Sequence, residues 1–572
     1  MTEGYWVAAP LLRSARSLCD AGVVVQLSRR TLLAGSTVGS VLYLTGCSPQ
    51  TPPPPTGTGS TAASGDTSAT AATSEAVPDD THSVTLRVPE ADSVLPLDES
   101  SGSALTAALI QSATAVVVAS PAAAPTPDPT GSAPQTSPAG SASASPSPTP
   151  STTATTPAGD PLASATEAAL ALGLPLLLAG PSLLAELDRL ETRTVIGYPA
   201  DGLDVGDREL IAGPDDPSAL PELPGLPRTP QPAAIAVYTD ADELAPEIRA
   251  VLSAAGVTPI RTVSGHPGET AESVAAAKAS ESVVALGSSF GDDTTLASRV
   301  AVARTAAELP GGGVTPFPGR RMIALYGHPG APVLGMMGEQ SPEESVARLQ
   351  TLVAEYQALR PEENFIGAFE IITTIASASA GSDGNYSILS SFERVLPFIE
   401  AAEANDIYVV LDLQPGRSTF LDQAKRYEEL LKRPWVGLAL DPEWRLQPGQ
   451  RHMVQIGQVE IEEVNEVGAW LAQLVRDNNL PPKVLTLHQF QPRMIINREL
   501  LDTSHDEIQY MVHVDGLGSQ GAKQGTWQRI LQDLPPRVYL GWKNFEDEDL
   551  PMLTPAQTLD QVVPMPDFVS YQ

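Results

Sequence analysis

Eight apolar runs of strand length punctuate the last part of this chain, and their spacing constrains the fold more than any other feature. They are RMIALYG (321–327), NFIGAFE (364–370), IYVVLD (407–412), VGLALD (436–441), KVLTLH (483–488), QYMVHVD (509–515), RVYLGW (537–542) and PDFVSYQ (566–572). Short runs rich in Val, Ile, Leu, Tyr and Phe fit buried strands. Between most of them lie helical patterns, among them SPEESVARLQTLVAEYQAL and TFLDQAKRYEELLKRP. Strands separated by helix-length connections over 318–572 predict a (β/α)8 TIM-like barrel.

The region before the barrel has a different character. Between 82 and 315, strand-like TAVVVAS, LPLLLAG, TVIGY, AIAVYT and SVVALGS alternate with helical SATEAALAL, PSLLAELDRL and ADELAPEIRAVLSAAG. Such alternation predicts a parallel, Rossmann-like α/β domain. A Pro/Ser/Thr/Ala run over 122–159 interrupts it and reads as a disordered loop insertion, which costs little entropy. PGGGVTPFPGRR (310–321) marks the boundary with the barrel. The formal net charge of −34 repels phosphate backbones and anionic headgroups, which argues against a nucleic-acid partner.

The first residues carry SRRTLL (28–33), an apolar stretch and LTGC ending at Cys47. These resemble a twin-arginine export signal and a bacterial lipoprotein cleavage box. The resemblance implies a signal peptide over 1–47, lipidation of Cys47 and a mature chain anchored on the outer face of the membrane. Residues 48–81, rich in Pro and Thr, then read as an extended tether. Cys19, the other cysteine, precedes the cleavage box, so no disulfide is expected.

AVVVAS, followed beyond the insertion by GDPLASATEAALALGLPLLLAGPSLLAELDRLETRTVIGY, resembles one unit of the type-2 cell-wall-binding repeat of Gram-positive surface proteins. A more degenerate copy begins at HPGETAESVAAAKASESVVALGSSF and covers 266–312. Gly197-Tyr198 stands where the family has Gly-Gly, and the insertion splits the first copy. The resemblance implies cell-wall glycan or peptidoglycan as the partner.

Chemistry in a (β/α)8 barrel collects at the C-terminal strand ends. Those ends carry His328, Glu370, Asp412, Asp441 with Glu443, His488, Asp515 and Trp542 in strand order. Side chains two residues apart share a strand face, so Ala439 with Asp441, Thr486 with His488, and His513 with Asp515 point alike. Buried unpaired charge is costly, so such a ring persists only if solvated, paired or used. Each member has a plain structural reading too: Asp412 pairing with Arg417, His513 as a satisfied core histidine, Glu370 in an ion pair, Trp444 and Trp542 in packing. GLGSQGAKQG (516–525) reads as a polar loop able to close over a ligand, or as a plain connection.

Two carboxyl groups with different protonation states are the requirement of glycoside hydrolysis. LALDPEW resembles the Asp-x-Glu at the end of strand 4 in muramidase-type barrel lysozymes and related glycosidases. There the Glu is the acid and the Asp its partner, and a strand-6 Asp corresponds to Asp515. The resemblance makes Glu443, Asp441 and Asp515 the catalytic candidates, and the strand-end positions make Glu370, Asp412, His328, His488 and Trp542 the candidates for contact with substrate. His328 occupies the place of the family's strand-1 Asp, a departure that keeps open a non-catalytic wall-binding lipoprotein with a degenerate barrel. Metal-dependent hydrolysis through His328, His488, His513 and Asp515 is a third reading, but no local pair such as His-x-His supports it. No cofactor is expected.

Overall fold

The structure is a computed structural model describing residues 81–98, 100–120, 160–214, 216–226 and 234–572. Cys47, the export segment, the tether up to residue 80 and the insertion 122–159 lie outside the described residues. No helix among the described residues is long and apolar enough to cross a membrane.

Eight parallel strands close into the expected barrel. They are β1 (Arg321–Gly327), β2 (Phe365–Ala376), β3 (Tyr408–Leu413), β4 (Val436–Leu440), β5 (Lys483–His488), β6 (Ile508–Val514), β7 (Tyr539–Asn544) and β8 (Phe568–Tyr571). Each pairs with the next in chain order, and β8 pairs back with β1. β2 is longer than its apolar run suggests, and its overhang forms an antiparallel pair with Ser387–Leu389.

The period-two alternation sorts the side chains. Met322, Ala324, Ile366, Ala368, Val410, Ala439, Val484 and Met511 form one apolar cluster inside the barrel. Their neighbours Ile323, Leu325, Phe369, Val409, Leu411, Leu438, Leu440, Leu485, Val512 and Trp542 pack outward into the larger core shared with the helices. Beyond the apolar layer, toward the C-terminal ends, the inward residues become Tyr326, Glu370, Asp412, Asp441, Lys543 and, past Thr486, His488.

The opposite end is plugged by the 310–321 stretch. Phe317 is buried against Tyr539 with ring centroids 4.9 Å apart. Gln509 accepts from the Phe317 amide at 2.7 Å and donates back to its carbonyl at 2.5 Å. Arg320, also buried, donates to the carbonyls of Pro310 and Gly312. The stretch that reads as a boundary is thus the barrel's floor.

Two four-stranded parallel sheets precede it. One runs in the order Leu176–Leu178, Ala115–Ala119, Thr194–Tyr198, Glu209–Ala212; the other Ile260–Arg261, Ile235–Thr239, Ser282–Leu286, Ser93–Leu95. Both share one spatial plan, with the first long strand flanked by its two successors and an edge strand added beyond. The second unit therefore begins at Ile235 and contains the 266–312 stretch, while its edge strand comes from residues 93–95. The helix Pro246–Ala255 begins at its proline and ends at Gly256, which is left-handed at φ 66°.

The α/β units meet the barrel through Arg299 on the helix Asp293–Thr305. Its guanidinium grips Asp506 through Nε at 2.8 Å and Nη2 at 2.9 Å, and Nη1 donates to the carbonyls of Gly265 at 3.1 Å and Ser289 at 3.0 Å.

Candidate active site

The polar layer at the barrel mouth is a connected set. Tyr326 on β1 lies in register with Glu370 on β2, and its hydroxyl donates to Asp412 Oδ2 at 2.8 Å. His488 on β5 is the hub. Its Nε2 lies 2.8 Å from Glu370 Oε1 and 4.0 Å from Asp412 Oδ1, and its Nδ1 lies 3.3 Å from Asp515 Oδ2. His513, in register with His488, places Nδ1 3.3 Å from the same Glu370 oxygen and Nε2 2.9 Å from Ser570 Oγ. Gly541 on β7 makes room for that ring: a Cβ there would stand 2.9 Å from His513 Cδ2.

β4 ends in the turn that carries the acid pair. The Asp441 amide continues the ladder to the Leu413 carbonyl at 3.1 Å. Its Oδ1 accepts from the Glu443 amide at 3.2 Å and so caps the single 3-10 turn Pro442–Trp444. Arg445, bound to Glu463 through Nε and Nη2 at 3.0–3.2 Å, pins the turn from behind. Glu443 and Trp444 are half-buried at the rim, and the Trp444 ring meets His452 edge-on at 5.4 Å.

These groups border one pocket. Asp441, Glu443 and Trp444 line one part of it, with Asp515, Lys543 and Tyr326 among the other lining residues. Its volume is about 420 Å³, the open solvent at its mouth included. Glu370, Asp412 and His488 do not line it; they form the layer beneath.

Burial and crowding divide the protonation states. Burial and the neighbouring Asp412, Asp515 and Glu443 carboxylates push Asp441 well above the usual carboxylate range, against the pull of His488. Burial likewise raises Asp412 to about 6, with His488 opposing and Glu370 reinforcing the rise. At Glu370, burial is outweighed by His513 and His488, and the carboxyl is held well below its ordinary value. Burial disfavours the His488 cation, but Glu370 and Asp515 overcome it and hold the imidazole well above its ordinary range. His513 is pushed down by burial, so the proton of this trio rests on His488. Burial also lowers Lys543, whose ammonium sits 3.1 Å from the centroid of the Tyr326 ring.

The strand ends bring together Asp441, Glu443, Asp515, Glu370, Asp412 and His488, as the alternation predicts. Three readings are corrected. Trp542 is not a sugar platform: it faces outward, packs edge-on against Trp527 at 5.7 Å and donates to Asn544 Oδ1 at 2.8 Å. The mouth-facing residue of β7 is its neighbour Lys543, and on β1 it is Tyr326 rather than His328. His328 is buried just past β1, its Nδ1 2.8 Å from the Ile372 carbonyl. The parity of YLGWKN, in which Tyr539, Gly541 and Lys543 share a face, was the available signal for Lys543. The third correction is the loop 516–525, whose latter half is the start of the helix Gln520–Leu531. That helix buries Lys523, which donates to Asp549 Oδ2 and the Lys543 carbonyl at 2.6 Å each.

No protein-family model matches this chain, and no curated protein matches it in sequence.

Proposed function

We propose that this chain is a surface-anchored, cell-wall-associated lipoprotein whose barrel hydrolyses a glycosidic bond, with the pocket at the end of β4 as its active site. The observation that carries the reading is the meeting of Asp441, Glu443 and Asp515 on one partly open pocket. Glu443, half-exposed at the rim, is the acid that protonates the leaving oxygen. Asp441, raised in pKa by its burial, holds the turn by accepting from the Glu443 amide, and Glu443 regains its proton from the water that completes hydrolysis. Asp515 is the carboxylate that acts on the sugar carbon, directly or through a water. Lys543 balances its charge, and Trp444 offers an aromatic face to a sugar ring.

The test is turnover of purified peptidoglycan and a broad glycan panel by the wild type, Glu443→Gln and Asp515→Asn. Loss of roughly 10²–10⁴-fold in rate for Glu443→Gln, with the fold intact, is the expected result for a removed general acid. Full activity in Glu443→Gln, or no hydrolysis of any glycan by the wild type, overturns the reading.

The tightness of the mouth favours a second reading. Asp441 and Asp515 are only 2 % and 3 % exposed, so a sugar ring rests above these acids rather than between them. A non-catalytic wall binder would then show saturable wall binding that survives Glu443→Gln.

A further inference from the structure

We infer that Glu370, His488 and His513 form a buried site for one divalent transition metal, of which Zn²⁺ is the type, beneath the pocket. The three side chains come from β2, β5 and β6, so no local sequence pair announces them. Their donor atoms lie within 4.8 Å of one another, and all three residues are fully buried.

The distances have the scale of coordination. Glu370 Oε1 lies 2.8 Å from His488 Nε2 and 3.3 Å from His513 Nδ1. Ligands about 2.0–2.1 Å from a tetrahedral zinc stand roughly 3.3 Å from each other. Small outward movements of the three groups would admit the ion.

The hydrogen bonding is independent evidence. His513 Nδ1 and Glu370 Oε2 are fully buried and have no hydrogen-bond partner, although His513 Nδ1 faces a carboxylate oxygen. With Ser570 O–H donating to Nε2, Nδ1–H faces Glu370 Oε1, and with the opposite tautomer Nδ1 offers its lone pair to an ion; in both cases Glu370 Oε2 keeps a free lone pair directed into the same buried space. Asp412 Oδ1, also buried and unpartnered, stands 4.0 Å from His488 Nε2 and supplies a fourth donor. Leaving such groups unpaired is expensive, so an interior retains them where something satisfies them.

The outer contacts follow the pattern of metal-bound imidazoles, whose other nitrogen is held by a carboxylate or another acceptor. His488 Nδ1 meets Asp515 Oδ2 at 3.3 Å, and His513 Nε2 meets Ser570 Oγ at 2.9 Å. Both histidines therefore present the inner nitrogen to Glu370 with the outer one already engaged. The ion would fix the floor on which Asp441 and Asp515 stand, without occupying the pocket.

The experiment measures metal on the full chain, purified without chelator, refolded in the presence of Zn²⁺ or Co²⁺ and then desalted. The expected result is one metal per chain by elemental analysis, with Co²⁺ giving visible bands typical of nitrogen and oxygen ligands. His513→Gln should weaken Zn²⁺ binding by 10-fold or more, whereas His505→Gln, which alters a half-buried histidine outside the cluster, should leave it unchanged. Far-UV circular dichroism of each variant separates lost ligation from lost fold. Fewer than one metal per ten chains in the folded wild type overturns the inference, and so does undiminished affinity in folded His513→Gln. Glycan turnover is not the readout, so failure of the hydrolase reading leaves this result standing.

Discussion

Arg299 is the most exposing place to test how the α/β units are fastened to the barrel. Replacing it with Met removes a two-pronged bond to Asp506 and two bonds to the carbonyls of Gly265 and Ser289. A hydrogen bond to a charged partner is worth about 1.5–3 kcal/mol and a neutral one about 1 kcal/mol. The Asp506 side chain is 39 % exposed, so water recovers part of the loss on that side. The Met side chain recovers some packing. A net cost of about 3 kcal/mol follows, and at roughly 2–4 °C per kcal/mol it lowers Tm by about 6–12 °C. The reciprocal change should cost more. Asp506→Ala strands a guanidinium that is only 7 % exposed, and removing one partner of a buried pair costs about 3–5 kcal/mol. Urea unfolding of both variants and of the double variant provides the assay. The reasoning is refuted if Asp506→Ala proves the milder change, or if the double variant loses the sum of the two single losses with no coupling between them.

Three further outcomes follow from the same structure. Gly541→Ala places a methyl 2.9 Å from His513 Cδ2, so it should destabilise the chain by about 1–3 kcal/mol and weaken activity through a displaced ring, as thermal melts with glycan assays would register. Trp542→Ala should cost about 3–5 kcal/mol through its cavity against Trp527, while a stabilised background should retain glycan affinity; selective loss of affinity would restore the platform role. Lys483, buried near the barrel floor and donating to the Arg433 and Val436 carbonyls, has its ammonium lowered by desolvation from 10.5 to about 7. Between those values the unfolded chain binds a proton that the folded chain has released, so stability rises with pH across that window and falls as pH drops toward 7. The slope approaches about 1.4 kcal/mol per pH unit, and urea titrations of the wild type and Lys483→Met should differ in that slope.

The barrel was legible in the sequence because each strand is buried on both faces and therefore runs nearly continuously apolar. KVLTLH became a strand of the same bounds, and the other seven runs ended within a few residues of theirs, except the overhang of β2. The inward placement of Asp441 was legible because it shares a strand face with Ala439, which lies inside the barrel. Trp542 was misplaced for a physical reason. A residue at a strand end faces the mouth or the helices according to parity, and a large aromatic suits either side. Lys543 was passed over beside it, although it shares its face with Gly541. The two α/β units were visible as alternation, but the borrowing of residues 93–95 by the second sheet was not, since a three-residue edge strand carries little pattern of its own.

By itself, then, the order of residues determined the eight-strand periodicity, the inward placement of the carboxylates and the alternation ahead of the barrel. These follow from spacing along one chain, where period two and apolar run length suffice. Tertiary structure decided which acids are neighbours, that His488 stands between Glu370 and Asp515, and that the glycine-rich boundary is the barrel's floor. Those facts depend on strand register and barrel closure, which bring together residues far apart in the chain, 118 positions for Glu370 and His488 and further still for Tyr326 and Lys543. The protonation of Asp441 is largely of the same kind, since burial and the charges of His488, Asp412 and Asp515 from other strands outrank that of Glu443 in its own turn.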